Sequence, residues 1–132
     1  MKRLTVELLA RLDEQGREQL GRGQWAQAAQ TFGKMLELED HPVVRNNLAT
    51  AFYNGGRLEE AWRIMEPVLA KGAISPVAWA LASMIAWDLG WEEAAGEYLQ
   101  KAISLFEGGA HSPRELGFEP AGWREYTVII KR

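Results

Sequence analysis

The chain has 132 residues, 47% of them hydrophobic and 25% charged, with a formal net charge of −3 and no cysteine. Such a length and composition belong to one ordinary globular domain and exclude an intrinsically disordered chain. The charge argues against a phosphate-binding surface, because the basic residues are scattered rather than clustered, so no nucleic acid is expected as a partner. Without cysteine there is neither a disulfide framework nor a thiolate zinc site, which agrees with a reducing compartment.

The opening "MKRLTVELLARLDEQGREQL" carries a charge every few residues, so it reads neither as a secretory core nor as a membrane span. The longest weakly charged stretch, 72–87, is broken by Ser75, Pro76 and Ser83. A cytoplasmic protein with no membrane span is expected. A first helix is expected from about Leu4, with Leu8, Leu9 and Leu12 to bury.

The segment 21–36, "GRGQWAQAAQTFGKML", then turns on glycine and resumes with apolar residues at helical spacing. The same layout returns in 54–69, "NGGRLEEAWRIMEPVL", and in 88–103, "DLGWEEAAGEYLQKAI". Aligned on Gly23, Gly56 and Gly90, the three place Ala28, Ala61 and Ala95 in one column. Below them fall Phe32, Met65 and Leu99, then Met35, Val68 and Ala102, then Leu36, Leu69 and Ile103. The small residue fits a point where a neighbouring helix must come close.

Before each glycine lies another helical run. In 42–54, "PVVRNNLATAFYN", Val44, Leu48, Ala51 and Phe52 share one face. Pro42 and Pro76 suit a first helical turn, Ser75 is a good N-cap, and Gly72 reads as a helix stop. Pro67, inside the second run of the middle segment, predicts a bend. Each unit is therefore helix, turn, helix, with a period of 33 to 34. Residues 108–119 read as a linker. In "EPAGWREYTVIIKR", Trp123, Tyr126, Thr127 and Ile130 fit a capping helix, although Val128–Ile130 also fit a short strand.

On these residues the chain resembles a tetratricopeptide repeat protein. The family pattern W-x2-L-G-x2-Y, A-x3-F, P is met in pieces. Trp79 takes the Trp place, Leu48 the Leu place and Gly16 the Gly place, while Phe52 stands where Tyr is usual. Ala28, Ala61 and Ala95 take the Ala place and Phe32 the Phe place. The resemblance implies an all-α, right-handed α-solenoid of tandem helix-turn-helix repeats. Its repeats would span about 9–41, 42–75 and 76–109, followed by a linker and C-terminal capping segment at 110–132. One helical pair cannot cover its own apolar stripe, so stacking is what makes the core.

The resemblance also implies a concave groove lined by the first helix of each pair. Carried over position by position, the groove takes Arg17, Asn46, Asn47, Thr50, Tyr53, Asn54, Val77, Leu81, Met84, Trp87 and Asp88. The residues themselves support part of this. The second face of 42–54, with Asn46, Thr50, Tyr53 and Asn54, is polar yet uncharged, and asparagine amides can both donate to and accept from a peptide backbone. The run 76–89 is apolar nearly all round, with Val77, Leu81, Met84 and Trp87 as a second stripe and Trp87 and Met84 as anchors. Three covers for that stripe stay open: a peptide or partner helix, a second copy of the chain, or its own C-terminal segment. Trp25, Trp62 and Trp79 are expected in the core.

Family members that grip acidic chaperone tails use a clamp of Lys, Arg and Asn. Here only Asn47 matches; Asp13, Arg17, Val77 and Leu81 occupy the other clamp positions, so a carboxylate tail would be repelled. Secretion-translocator chaperones of similar length, which are often homodimers, are a second resemblance, carried by size, repeat number and "LELEDH" at 36–41. His41 and His111 fall in turns, with no metal-ligand spacing and no nucleophile motif elsewhere. The expectation is a non-catalytic protein–protein interaction module without cofactor or metal, with a homo-oligomeric or chaperone-like scaffold as the alternative.

Overall fold

The computed structural model describes residues 2–107, with side chains from Thr5 to Phe106. Six helices follow one another: α1 (Lys2–Gly21), α2 (Trp25–Leu38), α3 (Pro42–Asn54), α4 (Leu58–Ala70), α5 (Pro76–Asp88) and α6 (Glu92–Glu107). No strand occurs among the described residues. The expected capping segment at 110–132 lies outside them.

The three turns inside the pairs are built alike. Gly23, Gly56 and Gly90 sit at φ of +73°, +80° and +85°, the left-handed region that only glycine enters without strain. Each glycine N–H donates three residues back, to the carbonyls of Leu20, Tyr53 and Trp87 at 3.0–3.1 Å. The next N–H reaches five back, to Gln19, Phe52 and Ala86 at 2.8–2.9 Å. This is a Schellman stop, which satisfies carbonyls that the helix end leaves free. The second helix then starts at once: the N–H groups of Ala28, Ala61 and Ala95 make its first bonds, to Gln24, Arg57 and Trp91.

Between pairs the chain uses a different device. His41 Nδ1 and Ser75 Oγ accept from the N–H groups of Val43 and Val77, at 3.1 and 3.3 Å, and proline follows each cap. Pro67 lies inside α4, which continues through it to Ala70.

Each helix packs on the next, and α3 also touches α5, so the pairs stack in chain order. The core runs through the stack as three linked clusters. Ala28, Phe32, Met35, Leu48 and Ala51 join α1–α3, with Leu9 and Leu12 leaning on them. Ala61, Met65, Leu69, Leu81 and Ile85 join α3–α5, and Ala80 with Ala102 joins α5 to α6. Phe52 and Ile64 border both of the first two clusters, and Trp79 both of the last two. The alanine column is fully enclosed, at 0, 0 and 2% exposure, as close helix approach requires. Gly16 serves the same need in α1, where an added Cβ would stand 2.6 Å from the Phe32 ring. Leu8 corrects the sequence reading: it is 44% exposed, because among the described residues α1 packs mainly on α2.

Polar side chains fasten helix to helix. Thr31 donates to Gln19 Oε1 at 2.6 Å, and Ser83 donates to the Ala95 carbonyl at 2.8 Å. Arg45 holds Asp40 through two bonds of 2.7 and 2.9 Å and donates a third, of 3.1 Å, to the Ile64 carbonyl of α4. That grip holds the Asp40 carboxyl below the usual carboxylate range and raises the Arg45 guanidinium above its own.

Candidate functional site

The expected groove residues separate into two groups. Asn46 and Asn47 are each 2% exposed, and Thr50, Val77 and Leu81 are at 0, 0 and 1%. For these five the sequence reading needs correction: none of them presents an open surface. The reason is their position in the stack. Helix α3 touches α2, α4 and α5, and α5 touches α3, α4 and α6, so little of either helix is left to solvent. Leu81 packs into the cluster of Ala49, Ala78, Ala82 and Ile85. Thr50 donates its hydroxyl to its own helix, at the Asn46 carbonyl, 2.7 Å away. The side-chain nitrogen and oxygen of Asn46 are both out of solvent and have no hydrogen-bond partner among the described residues.

The second group lies at the C-terminal ends of the same two helices, one turn before the glycine turns. Tyr53 donates its hydroxyl to Asp88 Oδ2 at 2.7 Å, tying the ends of α3 and α5 together. Asn54 and Met84 are half-buried, and Met84 leans on the Ala80–Ala102 cluster. Trp87 stands 63% exposed beside them. Arg17 is also exposed, but its Nε pairs with Asp13 at 3.0 Å, one turn away on α1.

At the other ends of these helices is a cleft of about 320 Å³ that sequence reading missed. It lies where α3 begins and α4 ends, among Asp40, Arg45, Pro67, Lys71, Ile74 and Ser75. The available signal was Ile74, an apolar residue placed between the helix stop and the cap, and 84% exposed.

Of the tryptophans, Trp62 and Trp79 pack against the core as expected but stay half-buried, while half-buried Trp25 joins no core cluster among the described residues. Trp62 meets Trp91 edge-on, with centroids 5.2 Å apart, and stacks on Tyr98 at 5.8 Å. Trp79 follows at 5.7 Å from Tyr98, while its indole N–H donates to the Ala73 carbonyl at 2.8 Å. Partial burial pushes the Tyr98 phenol above its ordinary pKa, and the nearby Glu97 and Glu66 carboxylates push the same way. The spacing of Trp91 and Tyr98, two helical turns apart, was the signal for this row.

No helix among the described residues is long and apolar enough to cross a membrane. No group of His, Asp or Glu that could hold a metal ion occurs among them either.

Comparison with solved structures finds the Sgt2 TPR domain from Aspergillus fumigatus at a TM-score of 0.72 and 18% identity. The match covers 93% of this chain and 79% of that one, and at this identity it concerns the fold. A search of curated proteins finds no match. Two family profiles, both described as tetratricopeptide repeat, match residues 19–85 and 76–107. With the first profile alone spanning half of the sequence, and with three stacked helix pairs behind it, the chain belongs to the tetratricopeptide repeat family.

Proposed function

We propose that this protein is a non-catalytic interaction module of the cytoplasm that docks a peptide or partner helix against the joined ends of α3 and α5. Tetratricopeptide repeats are protein-interaction modules, which supports the class of function. The observation that carries the site is Trp87. An indole 63% exposed at the end of a largely buried helix leaves its apolar area in water, and covering it with a partner is favourable. Half-buried Met84 supplies an adaptable floor beside it, and the paired Tyr53 and Asp88 supply a polar edge. An acidic chaperone tail is a poor ligand for this surface. Asn47, the one clamp residue matched, is enclosed, and Arg17 is already paired with Asp13.

The test is a displayed peptide library panned on the wild-type protein, with the selected peptides measured on Trp87→Ala. Expected are peptides with an apolar anchor whose affinity falls by roughly tenfold or more, the loss of about 1.4 kcal/mol or more that removing a central aromatic produces. Peptides that bind both proteins equally would place recognition elsewhere. Light scattering on wild type and Trp87→Glu separates the rival occupant, since a dimer that dissociates in the variant means a second copy covers the tryptophan.

A further inference from the structure

The cleft between the start of α3 and the end of α4 holds about 320 Å³, the lower end of what ligand sites enclose. Most of its lining is apolar, with Val43, Pro67, Val68, Ile74 and Ala78 among the residues. Asn46 belongs to the same wall. It is 2% exposed, and neither its amide nitrogen nor its amide oxygen has a hydrogen-bond partner among the described residues. An enclosed amide without bonds costs stability, and the cleft is the open space that this one borders. The charged groups of the lining are unequal. Arg45 is occupied by Asp40 and by the Ile64 carbonyl, whereas exposed Lys71 makes no ion pair among the described residues.

A carboxamide offers two donors and one acceptor oxygen, so its best partner both accepts and donates. A carboxylate only accepts and would leave the Asn46 oxygen bare, whereas an extended peptide turns the carbonyl and the N–H of one residue to the same side. We propose that this cleft binds an extended peptide segment through Asn46. One residue of the segment accepts from Asn46 Nδ2 and donates to Asn46 Oδ1, with its apolar side chain among Val43, Pro67 and Val68. An acidic neighbour in the segment pairs with Lys71. A free small amide would satisfy Asn46 equally, but it would leave Ile74 bare. That side chain is 84% exposed although it lines the cleft, so apolar surface continues beyond the enclosed space, and a chain running out across it covers both. The site lies at the opposite ends of α3 and α5 from Trp87 and does not depend on it.

The experiment is an NMR titration of the isotope-labelled full chain with the capped peptide acetyl-Leu-Glu-Leu-Glu-amide. Saturable shifts of the Asn46 side-chain amide are expected. A version with N-methylated leucines, which cannot donate, and a version with lysine for glutamate should each bind about tenfold more weakly. Asn46→Ala should lose about tenfold in affinity, read on the backbone signals of the cleft, while unfolding at higher urea. A residue kept only for the fold would not give that combination. Lys71→Glu and Ile74→Ser change exposed side chains and leave the core alone. The first should reverse the preference between the glutamate and lysine peptides, and the second should weaken both. Trp87→Ala should change nothing. No shift of the Asn46 amide at millimolar peptide, or equal binding by the N-methylated version, would overturn the proposal. Isovaleramide binding as tightly as the peptide would assign the cleft to small molecules and overturn it too. So would shifts of the same amide on diluting the chain alone, since a second copy would then fill the cleft.

Discussion

Helices α3 and α5 hold the same place in successive repeats, and both run for 13 residues behind a side-chain cap and a proline. At three aligned positions their chemistry nevertheless differs. Where α3 encloses Asn46, Asn47 and Thr50, the aligned positions of α5 are Ala80, Leu81 and Met84. Place in the stack decides how deeply a position is buried; side-chain chemistry decides whether the burial stabilises. Leucine at 81 gains from leaving water, whereas the Asn46 amide loses its hydration and gains no bond in return among the described residues.

Exchanging the two chemistries tests this directly. Leu81→Asn, which gives α5 the residue of α3, should lower the unfolding free energy in urea by about 3–4 kcal/mol, since it removes packed aliphatic volume and adds an enclosed amide. The reverse change, Asn46→Ala, gives α3 the residue of α5 and should raise the unfolding free energy by about 1–2 kcal/mol, because the lost amide has no partner among the described residues. A fall instead would mean that α3 depends on that amide, and the contrast between the helices would collapse. The shared feature should respond least. Ser75→Ala removes the bond to the Val77 N–H and should cost about 1 kcal/mol, read as lower thermal stability and faster amide exchange at Val77.

The same contrast shows what was legible in the sequence. The turns were, because a positive φ demands glycine and the three glycines recur 33 and 34 residues apart. The core column was too: Ala28, Ala61, Phe32 and Met65 are all fully enclosed, as close approach at those positions requires. The site was legible only at its edge. Helical spacing places Asn46 and Trp87 on faces, but it carries no information on how many neighbours those faces meet. Asn46 lies early in α3, where three helices converge, while Trp87 lies in the last turn of α5 beside an open glycine turn. The aromatic row escaped because its rings belong to three helices and the turn before α6, and come together only when the repeats stack.

The three glycine turns have a wider meaning. Every described helix winds to the right, yet each pair is joined by one residue of the opposite hand, at a φ near +80°. The hairpin therefore reverses through a brief change of chirality rather than through any particular side chain. What these positions select against is a β-carbon of the usual L configuration, and the backbone there has the hand that a mirror-image amino acid prefers.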